Sequence, residues 1–166
     1  YTYAAFETHY GLNDKDGNVI LEPIFSYIIN APLPGRFIAG TNNIAREDGY
    51  ECCCTLFDEN KNVLCQYNSI GFYTLDDGSY IGIAYYDGFG SSGNVLRDKN
   101  GDVLKTGHRF IDKDGNELSP CFSTYDVAYE DFWNDPISEH LNEQITIAAD
   151  DGSELSFTPA DYVRKP

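Results

Sequence analysis

The side chains of this chain best able to do chemistry are its carboxylates, and they arrive in groups. Asp14-Lys15-Asp16-Gly17-Asn18, Asp98-Lys99-Asn100-Gly101-Asp102 and Asp112-Lys113-Asp114-Gly115-Asn116 are near copies of one pentapeptide. Asp58-Glu59-Asn60-Lys61-Asn62 keeps the pattern with Lys at the glycine position, and Asp76-Asp77-Gly78-Ser79 and Asp150-Asp151-Gly152-Ser153 are shorter echoes. Crowded carboxylates suit calcium, but an EF-hand-like loop needs oxygen donors at alternating positions before its glycine and a bidentate Glu well after it. The position of the first donor holds Leu12, Leu96, Phe110 or Ile147, and Leu56 where the glycine is lost. Those hydrophobes are explained by a chain reversal and not by a cation cage, so calcium stabilisation stands as an alternative.

A second acidic group, Tyr129-Glu130-Asp131-Phe132-Trp133-Asn134-Asp135, contains the only Trp. Trp133 with Glu130 and Asp131 has the composition of a glycan-binding or glycan-cleaving site. A glycosidase, however, needs two carboxyl groups about 5 to 9.5 Å apart across a cleft, which sequence neighbours do not establish. The competing reading is that Phe132 and Trp133 anchor the segment to the core while the acids stay solvated. His9, His108 and His140 lack zinc-site spacing, and no Ser or Cys sits in a nucleophile elbow. Asp87 to Asn94 is glycine-rich but has no phosphate-loop Lys. No catalytic residue, metal ligand or cofactor site is assigned.

The elements around these acids follow from the turns. A polar reversal ending in Gly is the chemistry of a hairpin loop with a type I turn and a glycine bulge. If the residue three before the Gly pairs with the one after it, the residue five before lies across from the residue three after. The resulting pairs are Leu12 with Ile20, Leu56 with Leu64, Tyr73 with Ile81, Leu96 with Leu104, Phe110 with Leu118 and Ile147 with Leu155, apolar on both sides throughout. Each turn therefore joins two antiparallel strands with one buried face. Ile81 to Tyr86 is strand-like, Pro32 to Asp48 reads as a loop excursion with a turn at Thr41-Asn42-Asn43, and Asp135-Pro136 opens a short helix near 136–143 whose Ile137, Leu141 and Ile145 share a face.

Five cysteines, Cys52, Cys53, Cys54, Cys65 and Cys121, are an odd number without zinc-knuckle spacing. They read as free thiols; the register sets Cys65 opposite Thr55, so only Cys53 approaches Cys65, diagonally.

The 166 residues are 42% hydrophobic, enough for a buried core, and the formal net charge of -16 repels polyanions, which excludes nucleic acid and anionic membranes as main partners. No run approaches the roughly 20 apolar residues of a membrane-spanning helix. The chain starts at Tyr1 and contains no Met, so it reads as a fragment of a longer protein.

The first copy, Tyr10-Gly11-Leu12-Asn13-Asp14-Lys15-Asp16-Gly17-Asn18-Val19-Ile20-Leu21-Glu22-Pro23-Ile24-Phe25, resembles the WG repeat of large bacterial proteins, with Tyr10-Gly11 in place of Trp-Gly. The copy at Asp112–Asn116 keeps the downstream proline and aromatic as Pro120 and Phe122, the one at Asp150–Ser153 offers Pro159 and Tyr162, and the others lose most of that tail. The resemblance implies an all-β repeat scaffold of envelope or secreted proteins with an interaction role and no catalytic residues to carry over. The expectation is an all-β fold over 1–166, antiparallel hairpin and meander repeats in one compact unit arranged as a sandwich, rolled sheet or propeller. Its expected function is a non-enzymatic module of the bacterial cell envelope or extracellular space that binds a protein or glycan. A carbohydrate-binding or carbohydrate-active module is the alternative.

Overall fold

A computed structural model describes residues 2–6, 9–46, 49–88, 101–127, 136–149 and 151–166. It is all-β, as expected from the turn pattern. The strands are β1 (Thr2–Phe6), β2 (His9–Asn13), β3 (Val19–Phe25), β4 (Tyr27–Asn30), β5 (Arg36–Arg46), β6 (Gly49–Asp58), β7 (Val63–Tyr67), β8 (Ser69–Thr74), β9 (Tyr80–Tyr86), β10 (Gly107–Ile111), β11 (Ile145–Ala148) and β12 (Glu154–Phe157). They form four antiparallel sheets in chain order, β1-β2-β3, β4-β5-β6-β7, β8-β9-β10 and β11-β12.

Alternation along the strands turns these sheets into layers, because period-two side chains give each sheet two faces. Leu12 and Leu21 of the first sheet pack with Ile28, Phe37, Ala39 and Phe57 of the second. The second sheet's opposite face places Ile38, Cys54, Leu56 and Tyr67 against Ile70, Phe72, Tyr80, Ala84 and Tyr86 of the third. The third sheet's other face joins Ile81 and Phe110 to Ile145 and Phe157 of the fourth, with Phe122, Val127 and Ile137 filling the same core. Both faces of β9 are thus largely covered, which is why Tyr80, Ile81 and Gly82 are buried in succession and no residue of the strand is fully exposed.

The expected turn geometry occurs at five places. At 14–18, 58–62, 75–79, 112–116 and 149–153 the first residue's N–H donates to the fifth residue's carbonyl, and the fourth residue's N–H donates back to the first carbonyl. The fourth residue has positive φ each time: Gly17, Lys61, Gly78, Gly115 and Gly152. Tyr73 pairs with Ile81 and Ile147 with Leu155 as expected. Leu118 donates to the Phe110 carbonyl at 2.8 Å, matching that pair too. The pair Leu96 and Leu104 falls partly outside the described residues.

Two pairs differ from expectation by one residue. Leu12 pairs with Leu21, not Ile20, and Leu56 with Cys65, not Leu64, because the ladder shifts just beyond the turn. Ile20 and Leu64 are the extra residues of β-bulges, a feature local to the return strand and silent in the turn residues from which register was read. The same shift overturns the cysteine geometry. Cys65 lies opposite Leu56 and not Thr55, so Cys54, which pairs with Tyr67, shares its face. Cys54, Cys65 and Cys121 are not disulfide-bonded.

A further expectation fails. Among its described residues, the stretch from Pro32 to Asp48 is not a loop excursion: it turns at its start, with Arg36 N–H donating to the Leu33 carbonyl at 3.2 Å and Gly35 at φ 68°. Arg36–Arg46 is then the long strand β5, paired along its length with β6, and the supposed turn at Thr41-Asn42-Asn43 is a register shift between Asn42 and Ile44. Asn is a turn former by propensity, but pairing of this part of β5 with β6 outweighs it. The short helix expected near 136–143 is present, as a single 3-10 turn, Ile137–Glu139, without a side-chain cap. Ile137, Leu141 and Ile145 reach one core, as their shared face implies.

Candidate functional site

The turn carboxylates face inward on their own loops. Asp14 Oδ1 accepts from the N–H of Asp16 at 2.8 Å and of Asn18 at 2.9 Å, while its Oδ2 accepts from Asn18 Nδ2 at 2.8 Å. Asp58 repeats this with Asn60 and Asn62 at 2.9, 2.8 and 2.8 Å, and Asp112 with Asp114 and Asn116 at 2.9, 2.8 and 2.7 Å. In the shorter turns the acid sits two residues further on: Asp77 accepts from Ser79 and Asp151 from Ser153, backbone and hydroxyl alike. These bonds favour the ionised form. Led by the Asn18 side chain, they hold Asp14 below the usual carboxylate range; Asn62 does the same for Asp58, and the Ser153 hydroxyl for Asp151. Asp77 falls to about 2, through Ser79 first and Lys165 after it.

One turn is embedded and the others are open. Around Gly17, Gly78, Gly101 and Gly152 an added Cβ would meet nothing within 4 Å, whereas at Gly115 it would lie 2.8 Å from Cys65 Sγ and 3.1 Å from the Leu64 carbonyl carbon. The turn at 112–116 is held from β5 as well, where Arg36 Nε donates to the Lys113 carbonyl at 2.8 Å and Arg36 Nη2 to Asp114 at 2.6 Å. From β9, the Tyr80 hydroxyl accepts from Lys113 N–H at 2.9 Å.

Beside this turn lies the one charged side chain that is essentially fully buried among the described residues, Arg109, at 1% exposure. Its guanidinium donates to Glu117 Oε1 at 3.3 Å, to the Lys105 carbonyl and to Cys121 Sγ at 3.3 Å, and stands 5.3 Å from the centre of the Tyr67 ring. The Tyr67 hydroxyl donates to the same Glu117 oxygen at 3.0 Å. Burial opposes the charge on Arg109, but Glu117, then Cys121 and Tyr67, more than offset it and raise its pKa. Burial, then the negative Glu117, raises the Tyr67 hydroxyl strongly, so it stays a proton donor. Tyr67 belongs to the second sheet and Arg109 to the third, so the cluster ties two layers together at their edge. Arg109 escaped the sequence reading because one cation in an apolar strand gives no spacing to recognise. The available signal was its place between Gly107-His108 and Phe110-Ile111, in a strand buried on both faces.

Glu130, Asp131 and Trp133 lie outside the described residues, as does Asp135. The histidines are apart: His9 is exposed, His140 is buried, and His108 sits between Tyr85 at 4.4 Å and Phe122 at 5.8 Å. Burial, and then Arg109, lower the His108 pKa to about 4, so it is neutral at pH 7. Among the described residues no three His, Cys, Asp or Glu side chains are grouped to hold a metal ion, and no helix is long and apolar enough to cross a membrane. The sequence reading also passed over Tyr125, which is 96% exposed. It is carried on a 3-10 turn capped by Ser123, whose hydroxyl accepts from Tyr125 N–H at 3.2 Å and donates to Asp126 at 2.8 Å. Its signal was the Ser123-x-x-Asp126 spacing of a capping box. Comparison with family models, with curated proteins and with solved structures finds no match.

Proposed function

We propose that this chain is a non-enzymatic binding or scaffold module of a bacterial envelope or secreted protein, presenting a β surface and its connecting turns to a protein or a glycan. The observation that carries the reading is the use to which the polar groups are put. The turn acids accept hydrogen bonds from their own loops, and the buried Arg109 with its partly exposed partner Glu117 joins two sheets, so these ionic groups serve the stack. The WG-repeat resemblance supports the same reading, since tandem hairpins on one turn geometry make extended surfaces. A rigidly capped, almost fully exposed Tyr125 supports it as well, because aromatic side chains with little entropy to lose are typical contact residues.

A glycan array run beside a panel of chromogenic glycosides tests the proposal. The expected result is retention of a ligand without turnover, weakened by Tyr125→Ala with the melting temperature unchanged. Product release abolished by Glu130→Gln or Asp131→Asn would replace the reading with the carbohydrate-active alternative, in which those acids and Trp133 form the site. For the calcium-stabilised alternative the discriminating result is a rise in melting temperature with calcium that chelator reverses.

A further inference from the structure

The hydrogen bonds of Arg109 leave one donor over. Nη1 faces Glu117 Oε1, and Nη2 serves the Lys105 carbonyl and Cys121 Sγ. Nε is buried and has no acceptor among the described residues. A guanidinium is a planar fork in which Nε–H points to the same side as one Nη2 hydrogen, so the unused donor shares an edge with the nitrogen that meets Cys121. A buried N–H without an acceptor is unfavourable, and in a side chain only 1% exposed it calls for a partner that arrives later.

Among the described cysteines, Cys121 is the one placed to supply that partner. It is half-buried, and Lys105, Thr106 and Pro120 around it are exposed. β10 approaches the sulfur with Gly107, where an added Cβ would lie 2.7 Å from Sγ, so this residue puts no side chain over it. The thiol donates to the Thr106 carbonyl at 3.2 Å and accepts from Arg109 Nη2 at 3.3 Å. The other two are placed differently. Cys54 is 4% exposed with its sulfur 2.6 Å from the Tyr27 hydroxyl oxygen, and the Cys65 sulfur is pressed against the embedded turn at Gly115.

We propose that Cys121 is an oxidation site, at which hydrogen peroxide converts the thiol to a sulfenic acid held by Arg109 and the Thr106 carbonyl. Sulfur attacks one peroxide oxygen, the O–O bond breaks, and the departing hydroxide leaves as water with the thiol proton. Sulfur is oxidised by two electrons and the peroxide is reduced by the same two. Negative charge develops on the departing oxygen, and the fixed donors of the guanidinium stabilise it. Once formed, the S–O–H group donates to the Thr106 carbonyl and its oxygen accepts Nε–H, which satisfies the spare donor. Glu117 balances the guanidinium from Nη1 and leaves the Nε edge to the sulfur. The proposal goes beyond the binding-module reading and does not rest on it.

Dimedone, which traps sulfenic acids, reads this in the full chain treated with hydrogen peroxide, with tandem mass spectrometry of the peptides separating the cysteines. In the folded protein the Cys121 adduct should form about tenfold faster than the adduct at Cys54 or Cys65. Unfolding in urea should slow the reaction at Cys121 although its sulfur becomes more exposed, a reversal that accessibility alone does not produce. Arg109→Met, shown by circular dichroism to fold, should slow the Cys121 reaction several-fold. Arg109→Lys, which keeps the charge and lacks the fork, should recover part of that loss. The proposal is overturned if Cys121 reacts no faster than Cys65, if its rate rises on unfolding, or if folded Arg109→Met reacts at an unchanged rate.

Discussion

Alanine placed at two turn glycines of the same geometry should have very different costs. Gly17 and Gly115 occupy the fourth position of matching Asp-Lys-Asp-Gly-Asn turns, with φ of 86° and 74°. An L-residue in this left-handed region costs about 1–2 kcal/mol, and both variants bear that cost. At Gly17 nothing more is added, because the new methyl enters open space. At Gly115 it comes to 2.8 Å from Cys65 Sγ, 2.9 Å from Cys65 Cβ and 3.1 Å from Leu64 carbonyl carbon. The sulfur can rotate away, but Cβ and the Leu64 backbone move only with β7, and such overpacking adds about 1–3 kcal/mol. Urea unfolding of the two variants in parallel is the assay. With a denaturant slope of about 1–3 kcal/mol per molar, the Gly115→Ala midpoint should lie about 1 M below that of Gly17→Ala. Equal midpoints, or a larger loss at Gly17, would refute the embedding of the 112–116 turn between the second and third sheets.

Lys61 supports the opposite substitution: at φ 69° it is the only described non-glycine residue with positive φ, so Lys61→Gly should raise stability by about 1 kcal/mol in the same urea assay. Arg109 and Glu117 should respond unequally. Arg109→Met leaves a carboxylate that is 36% exposed and can rehydrate, at a cost of about 2 kcal/mol, whereas Glu117→Leu strands a buried guanidinium at about 3–5 kcal/mol, a difference that thermal melts resolve. His108 gives a pH signature. Its folded pKa of about 4 lies below the ordinary histidine value of 6.5, so the unfolded chain binds the extra proton between them. The contribution is complete above about pH 6.5 and is lost as pH falls toward 4. Partial solvent access to the ring limits it to about 1–2 kcal/mol, and His108→Gln should flatten this segment of a stability–pH curve.

The features legible in the sequence were those written locally. Asp14, Asp58 and Asp112 announce reversals because the same residue that starts the turn accepts its hydrogen bonds, and the flanking hydrophobes give the buried face. What the sequence left unread depends on partners distant in the chain. Nothing near Ile20 or Leu64 marks a bulge, and β5 looks like a loop until β4 and β6 pair with it. The turn at 112–116 matches the one at 14–18 residue for residue, yet only the first is clamped by Arg36 and Tyr80, residues 77 and 33 positions away from Lys113. Arg109 is a similar case, since its guanidinium is explained by Tyr67 of another sheet.

Side-chain carboxyl resonances followed by NMR from pH 7 to pH 1.5, without and then with millimolar calcium, bear most directly on the role of the acidic turns. If these loops are reversals held by their own acids, Asp14, Asp58 and Asp151 titrate below 3.8, Asp77 titrates near 2, and calcium moves none of the four. Values at or above 3.8 for these residues, or resonances that shift and saturate with calcium, would contradict it.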